Sequence, residues 1–108
     1  MMRSLQIAET ERERTIELVI DESIELLLNE NPTTGYFWQA ASSDEEVLHV
    51  QDAGYVSAAE AEIGAGGVHR YVLTAAKRGR AVVQLQLARP WESKDAAARQ
   101  LRLSITVK

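Results

Sequence analysis

Cysteine is absent from this 108-residue chain. That excludes disulfides, thiolate metal sites and a cysteine nucleophile together. It leaves the redox compartment open, since a cysteine-free domain holds in either environment. Proline is scarce, at two residues, and glycine numbers six. No apolar run approaches the roughly 18 residues of a membrane-spanning helix, so no membrane partner is expected. An excess of basic charge is also missing: 12 Lys and Arg stand against 16 Asp and Glu, a formal net charge of −4. Nucleic-acid binding would need a basic stripe, and none is visible. The mixed signs from Glu9 to Arg14 read as a solvated segment. Met1-Met2-Arg3-Ser4 lacks the apolar core of a secretory signal. The expectation is a cytoplasmic protein as written, or a periplasmic or secreted one if a signal has been removed.

What is present is the composition of a globular domain, 45% hydrophobic and 26% charged. No repeat or low-complexity linker divides residues 1–108, so one domain is expected. Within it, residues 1–14 form a charged lead-in where Leu5 and Ile7 suit an edge strand.

The dominant pattern is alternation with period 2, the mark of half-buried strands. Ile16, Leu18 and Ile20 alternate with Thr15, Glu17 and Val19. Ile24, Leu26 and Leu28 follow the Asp21-Glu22-Ser23 turn. Tyr36, Phe37 and Trp38 open an aromatic strand, and Val47, Leu48 and Val50 make a short one. Tyr71 and Leu73 precede a Lys77-Arg78-Gly79 turn, after which Val83, Leu85 and Leu87 alternate. Leu101, Leu103, Ile105 and Val107 give the clearest pattern of all. These add up to an all-β, immunoglobulin-like β-sandwich of about seven strands without a disulfide, with Trp38 buried between the sheets. Ala58 to Glu62 and Lys94 to Gln100 are helical in composition but too short to stand as isolated helices, and read as loops.

Both prolines, and four of the six glycines, fall in loops. Asn31-Pro32-Thr33-Thr34-Gly35 combines a turn-opening Asn-Pro with a closing glycine. Read by itself it is a plain strand connection. Gly64-Ala65-Gly66-Gly67 does not sit between a strand and a helix, so a phosphate cradle is disfavoured. It reads as a hairpin connection, or as backbone laid close to a partner. Arg89-Pro90-Trp91 ends a strand, since Pro90 cannot donate to a ladder. Trp91 is then either a contact under the loop or an exposed anchor, and Trp and Arg are enriched at binding hot spots.

Catalysis has little support. His49 and His69 stand in no metal-ligand spacing, and no serine carries a nucleophile-elbow pattern. Ser43-Asp44-Glu45-Glu46 resembles a capping box, so its acids are assigned to turn chemistry. No enzyme activity, metal or cofactor is expected.

Taken in order, the three loops resemble the chagasin family of cysteine peptidase inhibitors. The residues that carry the resemblance are Asn31-Pro32-Thr33-Thr34-Gly35-Tyr36 with Trp38, Gly64-Ala65-Gly66-Gly67, and Arg89-Pro90-Trp91, within a span from about Thr15 to Lys108. Glu92-Ser93 departs from the family, whose members often carry glycine after the tryptophan. The resemblance implies an immunoglobulin-like sandwich whose three loops enter the cleft of papain-like enzymes and inhibit them tightly, reversibly and without a covalent bond. It implies that Thr33 and Thr34 lie nearest the catalytic centre. Gly64 to Gly67 would run beside the non-prime cleft, with Arg89 and Trp91 on the opposite wall. A monomer best suits such a wedge. The competing reading is an immunoglobulin-like adhesion or protein-binding module using the same loops, because fold alone does not assign function. A small hydrolase ranks behind both.

Overall fold

A computed structural model of the chain describes residues 2–8, 10–57, 66–92 and 97–108. Among these residues are eight strands: β1 (Arg3–Gln6), β2 (Glu13–Leu18), β3 (Ser23–Glu30), β4 (Phe37–Ser42), β5 (Leu48–Ser57), β6 (Gly67–Ala75), β7 (Gly79–Ala88) and β8 (Arg99–Val107). These are the seven legible strands plus the short edge strand around Leu5. They form two four-stranded sheets, ordered β1-β3-β6-β5 and β2-β8-β7-β4. β1 runs parallel to β3 and β2 parallel to β8, while the remaining pairs are antiparallel.

Alternation explains the layering. On β3, Ile24, Leu26 and Leu28 face inward, and on β6 so do Tyr71 and Leu73. They meet Val83 and Leu85 of β7 and Leu101, Leu103 and Ile105 of β8, all buried in one core cluster. Each fully buried Leu or Ile contributes roughly 1.5–3 kcal/mol. With no cysteine in the chain, this packing holds the sheets together. Trp38 is buried in the same cluster, as expected from its place mid-chain.

Four details differ from the sequence expectation. β2 ends at Leu18, not Ile20. Val19 to Glu22 forms a turn closed by Glu22 N–H donating to Val19 O, with Asp21 at φ 72°, and Ile20 is left exposed. Tyr36 belongs to the loop before β4. Ser43 makes no capping box: its hydroxyl accepts from Val82 N–H, while Asp44 Oδ1 accepts from Glu46 N–H in a tight turn. Arg99 and Gln100, helical in composition, begin β8 and pair with β7. Ala58 to Glu62, and 94–96 of the second such segment, lie outside the described residues.

Candidate functional site

Strand register sets where the loops fall. Glu30 at the end of β3 lies opposite Gly67 at the start of β6, and Ser57 at the end of β5 lies opposite the same glycine. In the other sheet, Phe37 pairs with Ala88 and Leu87 with Arg99. The connections β3–β4, β5–β6 and β7–β8 therefore share one end of the sandwich. The first crosses from sheet to sheet. The second is a hairpin within one sheet and the third a hairpin within the other. Topology alone thus makes the first loop central and the other two its flanks.

The central loop is locked by its own side chains. Pro32–Thr34 winds into a short 3-10 turn, with Thr34 N–H donating to Asn31 O and Gly35 N–H to Pro32 O. Asn31 Oδ1 accepts from the Thr33 amide at 3.2 Å and from the Thr33 hydroxyl at 2.6 Å. The Thr34 hydroxyl donates to Asn31 O at 2.7 Å and accepts from Tyr36 N–H. Gly35 ends the turn at φ 83°, a left-handed conformation that glycine holds without strain. Thr33 and Thr34 are exposed, yet both hydroxyls are turned back onto the loop. The loop carries no charge, which lowers the cost of taking it out of water.

Each flank braces it. A Cβ on Gly66 would lie 2.9 Å from Glu30 O and 3.1 Å from Asn31 Cβ, so the second loop packs directly on the foot of the first. A Cβ on Gly67 would collide with the Val56 carbonyl. The close approach expected of these glycines is therefore made within the chain itself. Gly64 and Ala65 lie outside the described residues. On the other side, the Trp91 ring edge lies 3.1 Å from where a Gly35 Cβ would stand. The Arg89 guanidinium covers the Tyr36 ring at 4.5 Å and pairs with Glu92 at 3.1 Å. Trp91 touches the loop by its edge only and remains 72% exposed. Pro90 is exposed beside it. Of the two readings of Trp91, the exposed one describes most of the ring.

Beneath the central loop lies a charged cluster that sequence reasoning missed. Glu30 is 4% exposed and His69 8%. His69 Nδ1 is 3.0 Å from Glu30 Oε2, and Nε2 is 2.7 Å from Asp52 Oδ1. Glu30 Oε2 also accepts from Trp38 N–H at 2.6 Å. His69 stacks on Tyr71 with ring centroids 4.6 Å apart, and Tyr71 donates its hydroxyl to Trp38 O. Burial, then the nearby Asp52 and Glu30 carboxylates, push the Tyr71 phenol up, so it remains a donor. At Asp52, burial is the largest influence and works to raise the carboxyl. The Gly54 amide, the His69 hydrogen bond and the His69 charge together outweigh it and hold the carboxyl below its ordinary value. A signal was present in the sequence: Glu30 is in phase with Ile24, Leu26 and Leu28, and His69 with Tyr71 and Leu73, so both point inward.

The second histidine, His49, is exposed and, among the described residues, pairs with Glu45. No group of His, Cys, Asp or Glu suited to a metal occurs among the described residues. What the arrangement offers is a rigid, uncharged tip with an aromatic at its side, a shape suited to filling a cleft.

Comparison with known proteins agrees with that shape. The family model for chagasin family peptidase inhibitors matches residues 17–107. Chagasin of Trypanosoma cruzi is 30% identical over 81 residues, which cover 71% of this chain and 74% of chagasin. The crystal structure of a cysteine protease inhibitor from Entamoeba histolytica superposes with a TM-score of 0.80 at 24% identity, covering 99% of this chain and 96% of that one. PbICP-C, solved in complex with falcipain-2, superposes with a TM-score of 0.71 at 20% identity, over 98% and 99% of the two chains.

Proposed function

This chain belongs to the chagasin family of peptidase inhibitors, and from that premise we propose that it inhibits papain-like cysteine peptidases by seating the Asn31–Gly35 loop in the active-site cleft. Gly64 to Gly67 and Arg89 to Trp91 would contact the two walls of the cleft. The inhibition is tight, reversible and non-covalent. The chain is not an enzyme.

One observation carries this reading: the central loop is wound and self-bonded, with Thr33 and Thr34 at its exposed tip. A peptidase cleaves a chain that lies extended through its cleft. A 3-10 turn held by four side-chain hydrogen bonds presents no extended bond in register. It also enters the cleft already ordered, so little entropy is lost on binding. Contacts of this kind bury about 1,600 Å² in total, which three loops at one end of a sandwich can share.

Titrating papain with the purified protein tests the proposal. The expected result is stoichiometric loss of activity at about nanomolar concentration. Full papain activity at about micromolar inhibitor would instead favour a protein-binding module without inhibitory action.

A further inference from the structure

The Glu30–His69–Asp52 cluster lies outside the segments assigned to peptidase contact, yet its bonds converge on the central loop. Glu30 is the last residue of β3 and Trp38 the second of β4. The 2.6 Å bond from Trp38 N–H to Glu30 Oε2 therefore closes a ring around residues 31–37. Trp38 Nε1 closes a second ring by donating to Asn29 O at 2.8 Å. The Tyr71 hydroxyl, donating to Trp38 O at 3.0 Å, ties the same residue to the opposite sheet. Both feet of the loop are thus fixed by side chains, and Glu30 is the member that spans them.

A carboxylate can only accept. Both ring nitrogens of His69 face carboxylates, at 3.0 Å and 2.7 Å. Both contacts are satisfied at once only by the imidazolium, which has two N–H groups. A carboxylate buried like Glu30 is costly without a cation beside it, and a protonated His69 would supply one. The groups facing His69 are Glu30 from β3, Asp52 and the histidine's cross-strand partner Tyr55 from β5, and the stacked Tyr71 from its own strand. From β8, the Arg99 guanidinium lies over the Trp38 ring at 5.3 Å. Arg70, next along β6, pairs instead with Glu25 at 3.7 Å.

We propose that Glu30, His69 and Asp52 form a charge clamp that positions the central loop, so that the protonation of His69 sets how strongly the loop engages a peptidase. The proposal rests on the inhibitory reading above. When His69 loses a proton, one ring nitrogen turns a lone pair toward a carboxylate and that contact becomes repulsive. Glu30, still buried, then lacks a cation, which destabilises the carboxylate that spans both feet of the loop, and the loop must be ordered again on binding. Raising the pH therefore weakens the wild-type complex.

Glu30→Gln reverses the sign. The glutamine carbonyl still accepts from Trp38 N–H, and its amide donates to Nδ1. Neutral His69 then satisfies both neighbours, with Nε2–H donating to Asp52. In this variant it is the added proton, at low pH, that breaks the clamp.

The test measures dissociation of wild type and Glu30→Gln from the same papain from about pH 5 to about pH 9, a window wider than the ordinary imidazole range. Papain's own titration divides out of the ratio. The expected result is a wild-type to variant dissociation-rate ratio that rises by roughly tenfold with pH, as loss of a charged hydrogen bond implies. A flat ratio overturns the clamp. Hydrogen exchange in the free protein reads the same device without a peptidase. In Glu30→Ala the amides of Thr34, Gly35 and Trp38 should exchange faster, while those of β8 keep their protection. Equal exchange at these three amides in wild type and variant also overturns it. Ile105→Val, on the distant part of β8, serves as a purely structural control and should bind papain like the wild type. A loss of binding there equal to that of Glu30→Ala would reduce the cluster to general stability. Failure of the wild type to inhibit papain is a different result, and overturns the inhibitory reading itself.

Discussion

Gly67 and Trp91 stand at opposite limits of what a single side chain can reveal. At Gly67 any Cβ would meet the Val56 carbonyl and Ser57 Cα, both backbone atoms of the neighbouring strand. Gly67→Ala must therefore push β5 away from β6, and a loss of about 1–3 kcal/mol is expected in urea unfolding. Trp91 is the reverse case. It is 72% exposed, so Trp91→Ala should leave the melting temperature nearly unchanged while costing about 2 kcal/mol or more of peptidase binding. An unaltered inhibition constant would remove its role as an anchor. Thr33 tests the depth of the central loop. Its hydroxyl is spent on Asn31, but the residue is exposed, so Thr33→Arg should fold normally and fail to inhibit papain. Full inhibition by that variant would show that the loop stays at the rim. At this scale the sequence was readable where a residue type is rare. Two prolines and clustered glycines marked the loops, but the two roles open to Trp91 could be separated only by seeing how little of its ring touches Gly35.

Among the strands, legibility followed the regularity of the alternation. β8 carries four apolar residues in strict phase, Leu101, Leu103, Ile105 and Val107, and all four are buried. β5 was visible only at its start. Its pairing with β6 shifts between Asp52 and Gly54, and one extra residue at a bulge turns an alternating pattern out of phase. Asp52, the last residue before the shift and in phase with Leu48 and Val50, completes the cluster by reaching His69. The cluster was not foreseen because three residues far apart in sequence, Glu30, Asp52 and His69, meet only through strand pairing. The Asp52 carboxyl gives an element-level prediction. Its folded value lies below the ordinary 3.8, so its contribution to stability is present above that value and lost as the pH falls through the depressed one. Asp52→Asn removes this contribution. Thermal melts between about pH 2 and 5 should show the wild type losing more stability on acidification than the variant. Parallel curves would mean that the Asp52–His69 contact does not couple β5 to β6 in solution.

In the whole molecule, stability and recognition are divided along the long axis. The apolar core runs from Trp38 to the end opposite the loops, at Leu18, Leu48, Ala75 and Val107, whereas the three loops occupy one end, braced by one another through Gly66, Gly35, Arg89 and Trp91 and tied at the feet of the central loop by Glu30, Trp38 and Tyr71. Leu103 illustrates the division. It is wholly buried in the core cluster and pairs with Val83, well along β8 from the loop end at Arg99. Leu103→Ala should cost about 2–5 kcal/mol. It lowers the urea midpoint while leaving the slope of the transition unchanged, because the same surface is exposed on unfolding. The fraction that remains folded should still titrate papain with the wild-type inhibition constant, since the brace around the central loop does not run through Leu103. A weaker inhibition constant in fully folded Leu103→Ala would show that core packing reaches the loops, and that the tip of the sandwich is less independent than its contacts indicate.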